Sequence, residues 1–168
     1  MKKWFPFALF ALIILTEYCV QAPDYPKEPV IEFVGLSKNI MLQGDGNEDS
    51  LLVTFSFTDG DGDLGFPESD TTASIYIRDS RDSFGLEPRQ LPYVEPQGAG
   101  NGISGEITVV LPTSCCIYVN QAGEVFTCEN VPAEAQFDTL SYLIKIRDRA
   151  GNWSNEIVTT PIILRCRQ

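Results

Sequence analysis

Three aspartates spaced by two, Asp59, Asp61 and Asp63, lie in the stretch Thr58-Asp59-Gly60-Asp61-Gly62-Asp63-Leu64-Gly65. Glycine leaves the backbone free to curl, so carboxylates at this spacing converge their oxygens on one point. Without a cation they repel one another. At an effective dielectric near 20, each pair a few ångström apart costs roughly 3–4 kcal/mol. Hard oxygen ligands on an irregular loop suit calcium, which takes about six to eight oxygens in flexible geometry. That chemistry holds an ion; it does not act on a substrate.

Other constellations are weaker. The chain of 168 residues contains no histidine, which removes the Ser-His-Asp and Cys-His arrangements and speaks against a catalytic zinc site. Gly98-Ala99-Gly100-Asn101-Gly102 lacks the following helix and lysine of a phosphate cradle. Gly44-Asp45-Gly46-Asn47-Glu48-Asp49 reads as a solvated turn, and Asp79, Arg81 and Asp82 as a charged turn after a strand. Trp153 and Tyr118 have the ring type that stacks on sugars, but packing at a core or corner is the preferred expectation. A glycosidase needs two carboxylates across a cleft, and nothing in the sequence marks a cleft.

The elements that position these residues alternate with period two. Leu51, Val53, Phe55 and Phe57 share one face against Leu52, Thr54, Ser56 and Thr58. Ala73, Ile75 and Ile77 oppose Ser74, Tyr76 and Arg78; Ile107, Val109 and Leu111 oppose Glu106, Thr108 and Val110. Leu140, Tyr142, Ile144 and Ile146 oppose Ser141, Leu143, Lys145 and Arg147. Further strands are expected over Val30–Leu36, Gln90–Val94 and Ile157–Leu164, with Gly, Asp, Asn, Pro and Ser between them. About seven strands, each with one buried face, predict an all-β fold, an antiparallel β-sandwich.

Residues 1–18 read as a signal peptide: Lys2 and Lys3 precede an apolar run from Trp4 to Leu15 that is short for a membrane span. Cys19 stands where a bacterial lipoprotein carries its lipidated cysteine, although Tyr18 is bulky for the position before it. Cleavage after Ala22 is the alternative, with Pro23 against it. Residues 19–29 form a proline-punctuated tether, and residues 30–168 the sandwich. The expected location is the outer membrane or cell surface through a lipid anchor, or else the periplasm or the medium. The formal net charge of −11 becomes −12 once Lys2, Lys3 and Glu17 are removed with the signal. That acidity disfavours nucleic acid and favours cations.

Four cysteines remain beyond Cys19: Cys115, Cys116, Cys128 and Cys166. An even number in an exported chain argues for disulfides, with a tetrathiolate zinc site as the alternative. Neighbouring side chains in an extended strand point to opposite faces, so Cys115 and Cys116 are expected to take different partners, Cys128 and Cys166, in an order left open.

Asp138-Thr139-Leu140-Ser141-Tyr142-Leu143-Ile144 resembles the immunoglobulin pattern in which an aspartate and then a tyrosine precede the inward residue of the sixth strand. The resemblance implies an immunoglobulin-like topology with the Tyr142 hydroxyl bonded back to the chain at the corner. Ile144 stands where antibody domains have a cysteine, so their inter-sheet disulfide is not expected. Asp148-Arg149-Ala150-Gly151-Asn152-Trp153-Ser154 resembles the hairpin between the last two strands of bacterial immunoglobulin-like and cadherin-like domains. With the signal, this implies an outer-membrane surface lipoprotein. In that topology the loops after strands two and six are neighbours, so the aspartate loop meets Asp148 and Asn152. Asp148 continues the inward series of Leu140 to Ile146 and needs a partner there.

The loop also resembles part of an EF-hand, with Asp59, Asp61 and Asp63 at the first three ligand positions, Gly65 at the carbonyl position and Asp70 at the last. Leu64 replaces the turn glycine, so the reading is a calcium loop on a β-scaffold, with Asp70 and then Glu68 as weaker ligand candidates. The expected function is non-catalytic: a calcium-stabilised surface binding or adhesion module, or an accessory subunit meeting an envelope protein or glycan. A structural spacer is the alternative, and a carboxylate-dependent hydrolase a more distant one.

Overall fold

The structure is a computed structural model, and it describes residues 24–44, 48–81, 87–95 and 102–167. The expected signal peptide, Cys19 and the start of the tether lie outside the described residues, as do Asp45, Asp82 and Gly98 to Asn101.

The longest alternation gives the longest strand. β3 (Ser50–Asp59) buries Leu51, Val53, Phe55, Phe57 and Asp59 and turns the residues between them outward. It pairs antiparallel along its whole length with β6 (Ile103–Pro112), from Ser50 opposite Pro112 to Asp59 opposite Ile103. On its other side runs β1 (Val30–Leu36), from Val30 opposite Thr58 to Leu36 opposite Val53, with a bulge between Phe33 and Gly35. These three strands form one sheet.

The second layer centres on β10 (Tyr142–Ile146), flanked by β4 (Ile75–Asp79) and by β11 (Ile157–Val158), with β5 (Glu87–Arg89) beyond β4. β9 (Phe137–Leu140) precedes β10 with only Ser141 between them, and pairs with β12 (Ile162–Arg165). The segment expected as one strand over Ile157–Leu164 is thus two, parted at Thr159-Thr160-Pro161. Proline has no N–H for a ladder. Thr159 bridges the gap, giving its N–H to the Tyr142 carbonyl at 2.9 Å and accepting the Tyr142 N–H on Oγ1 at 3.0 Å. β2 (Ile40–Leu42) runs parallel to β12, so the first segment of chain serves both layers. Counting β9 with β10, β11 with β12, and β1 with β2, the main strands are seven, in the order of an immunoglobulin-like sandwich. Their inward faces share one core, in which Phe55, Ile75, Ile144, Ile146 and Ile162 are fully buried. Each such side chain contributes about 1.5–3 kcal/mol through burial.

Two expectations are corrected. Gln90–Val94 forms no strand; the paired segment is the short β5 before it. Pro92 cannot donate to a ladder, and the segment instead straps the aspartate loop, the Val94 N–H donating to the Leu64 carbonyl at 3.2 Å. The chain also makes a hairpin that the alternation did not show, β7 (Ile117–Val119) with β8 (Val125–Thr127). It is held by Cys115–Cys128, while Cys116–Cys166 ties the C-terminal segment to its base. The adjacent cysteines therefore take different partners. The charged turn at Asp79 is more than a surface feature: the Arg81 guanidinium joins Asp79 to Asp138 and to the Cys115 carbonyl, fastening the hairpin to the sheet.

Candidate metal centre

β3 ends on Asp59 and β10 runs out one residue short of Arg147, so both chains leave the sandwich at the same end. Strand parity turns Asp59 and Asp148 inward, and both side chains are completely buried. Asp61 is exposed and Asp63 half-buried. One carboxylate oxygen from each of Asp59, Asp61, Asp63 and Asp148 lies within 4.8 Å of every other, a group that could hold a metal ion.

The loop is shaped to bring them there. Gly62 and Gly65 adopt φ of +70° and +69°, where an L side chain is strained. A Cβ on Gly60 would overlap the Tyr25 carbonyl oxygen and stand 2.6 Å from that of Pro26. The Gly60 N–H donates to the Pro26 carbonyl at 2.7 Å, so the segment before β1 clasps the loop between two of its aspartates.

Asp59 and Asp63 are each half-satisfied by protein, and Asp148 is held through both oxygens. Asp59 Oδ2 accepts the Asp63 N–H at 3.0 Å, and Asp63 Oδ2 accepts the Ala150 N–H at 2.9 Å. Asp148 accepts the Asn152 N–H at 2.7 Å and its side-chain amide at 2.8 Å. The other oxygens of Asp59 and Asp63, both Oδ1, are buried with no hydrogen-bond partner. Burial, then the charges of Asp61 and Asp63, push the Asp59 carboxyl up to about 7, against the lowering effect of the Asp63 N–H. Asp63 is raised as well, by burial first and then by Asp148 and Asp61; the Ala150 N–H and Arg149 offset this in part. Asp59 and Asp63, raised by burial and like charge and each with a buried oxygen that lacks a donor, are short of positive charge.

The Arg149 charge acts on Asp63, but its guanidinium bonds go elsewhere. Its Nη1 donates to the Leu64 and Gly65 carbonyls at 2.9 and 2.8 Å, and its guanidinium sits 4.9 Å from the Tyr93 ring centroid. Here the EF-hand scheme fails. The Gly65 carbonyl, expected as a ligand, is taken by Arg149. Asp70 is not in the group: it turns back on its own chain, its Oδ1 accepting the Thr72 N–H at 2.8 Å, and the Thr72 side chain, then that N–H, lowers its pKa. Glu68 is exposed outside the group. In the second acidic loop, Asp49 pairs with Lys38 and accepts the Leu42 and Ser50 N–H groups, which makes it a turn anchor.

Asn152 was expected beside the site; it orients Asp148 through two donors. Arg149, Tyr93 and the Tyr25–Pro26 clasp were missed, because sequence carries no signal for contacts that only docking of distant segments creates. Tyr118 packs on Phe126 within the hairpin, with centroids 6.2 Å apart. Trp153 stays 40% exposed, bridged to Arg147 and 4.8 Å from Tyr76. Comparison of the chain with protein-family models, with curated proteins and with solved structures finds no match.

Proposed function

We propose that this chain is a non-catalytic cell-envelope lipoprotein whose sandwich binds calcium for structure and serves as a surface binding or adhesion module. The observation that carries the ion reading is the fully buried Asp59, with one carboxylate oxygen unpartnered and facing Asp61, Asp63 and Asp148. Calcium fits the donor set better than its competitors. All four side-chain ligands are hard oxygens on an irregular loop; magnesium demands a near-octahedral shell, and zinc and softer metals prefer nitrogen and sulfur. The cysteines are committed to disulfides and lie on the hairpin and C-terminal segment. The ion would join the β3 loop to the β10 hairpin and replace mutual repulsion with shared attraction. Thermal melting of the mature chain tests this: millimolar calcium added after chelation is expected to raise the melting temperature, and an unchanged temperature counts against it.

The hydrolase reading has one observation in its favour. A surface cavity of about 360 Å3 on the outer face of the β1–β3–β6 sheet is lined by Glu32, Ser56 and Glu106, which stand in register across the three strands. Glycan turnover lost on Glu106→Gln would support it over the binding reading.

A further inference from the structure

The two outer faces of the sandwich carry opposite charge. Along β1, β3 and β6 the charged side chains are Glu32 and Glu106, apart from the buried Asp59. On the other sheet, parity turns Lys145 and Arg147 outward beside Tyr76 and Arg78, since Ile144, Ile146, Ile75 and Ile77 face the core. Lys145 is opposite Tyr76, and Arg78 is opposite Leu143, so Arg78 is diagonal to Lys145 and Arg147 follows two residues on along the same chain. Among the described residues, no carboxylate pairs with Arg78, Lys145 or Arg147. Asp79 is occupied by Arg81. The Arg147 Nε is buried without a hydrogen-bond partner. Trp153 lies among these cations, 4.3 Å from the Lys145 Nζ and 5.7 Å from the Arg147 guanidinium to its ring centroid. Val158, opposite Leu143, is 54% exposed beside them.

Three cations without carboxylate partners on one face of a chain of net charge −11 are complementary to an anion. β10 and β4 are interior strands of their sheet, so an extended peptide cannot add here as a strand. What the face offers is a ring plane beside point charges. That combination suits a polymer whose units have an apolar face and a carboxylate each.

We propose that this face binds an acidic polysaccharide, with Trp153 and Tyr76 packing on sugar rings and Arg78, Lys145 and Arg147 holding carboxylates. The proposal rests on the binding-module reading and names its ligand class. The β10 hairpin links it to the ion site: Asp148, held by the Asn152 N–H and side-chain amide, sets the turn from which Trp153 projects.

The test is affinity electrophoresis of the mature chain, in calcium, through gels containing hyaluronate, dextran or poly-L-glutamate. Hyaluronate is expected to retard the protein, less so as salt is raised, and dextran to leave it unretarded. Arg78→Ala with Lys145→Ala should weaken retardation about tenfold, the effect of losing interface anchors, and Trp153→Ala should do the same. Val110→Ala, exposed on the opposite sheet, should change nothing. If Trp153→Ala misfolds, the Arg78/Lys145 variant decides, with its calcium-dependent melting as the check on folding. No retardation by hyaluronate overturns the proposal, and if calcium still raises the melting temperature the ion reading stands. Equal retardation by poly-L-glutamate, undiminished in Trp153→Ala, overturns it in favour of an acidic polypeptide.

Discussion

Replacing Asp59 by asparagine should stabilise the protein in a chelator and abolish its response to calcium. In the metal-free protein the Asp59 carboxyl is pushed up to about 7 from an ordinary value of 3.8. Holding it ionised above pH 7 therefore costs the folded state up to about 4 kcal/mol. Coulomb's law agrees: carboxylates within 4.8 Å repel by roughly 3–4 kcal/mol per pair at an effective dielectric near 20. Asparagine removes that charge and keeps an oxygen for the Asp63 N–H. Its amide NH2 takes the place of the unpartnered Oδ1 and donates toward the remaining carboxylates. We expect a gain of roughly 2–4 kcal/mol at pH 8, about 6–12 °C for a domain of this size. The assay is thermal melting followed by circular dichroism, in chelator and in millimolar calcium, for both proteins. The reasoning is refuted if Asp59→Asn is less stable than the native chain in chelator, or if calcium raises its melting temperature as much.

Four other outcomes follow from the same structure. Without calcium, the folded state holds the Asp59 proton up to about pH 7 while the unfolded chain gives it up near 3.8; stability should fall as pH rises through that window, and the gain from calcium should be larger at pH 8 than at pH 5. Gly60→Ala should destabilise by about 1–3 kcal/mol, because its Cβ meets backbone at Tyr25 and Pro26, a loss visible in urea unfolding. Opening the bridge between Cys116 and Cys166, which spans 50 residues, with a paired serine replacement should cost about 3–4 kcal/mol by the loop-entropy relation. Intact-mass measurement before and after reduction should show four protons gained.

The parts of the fold that were legible in the sequence are those where one residue's partner is set by parity. The alternation of Leu51 to Phe57 fixed which face of β3 is buried, and the same argument turns Asp148 inward as the continuation of Leu140 to Ile146. Joining it to Asp59 needed only that β3 and β10 end together. What could not be read depends on distant segments meeting. Asp70 fits a ligand spacing, but its carboxylate finds the nearby Thr72 N–H first. Residues 90–94 are apolar enough for a strand, yet Pro92 interrupts the ladder and the segment closes over Leu64 instead. Arg149 looked like one more turn residue, and only the docked loop shows it spent on the Leu64 and Gly65 carbonyls. The charged face of Lys145 and Arg147 was present as strand parity, but the missing counter-charges became visible only when Asp79 was found bound to Arg81.

Calcium titration of the chelator-treated mature chain by isothermal calorimetry tests the central claim most directly. The account predicts a single saturable binding event with a dissociation constant of about 10⁻⁴–10⁻³ M, as for extracellular calcium modules, lost in Asp63→Asn and unchanged in Asp70→Asn. No binding at ten millimolar calcium, or binding that Asp63→Asn leaves intact, would contradict it.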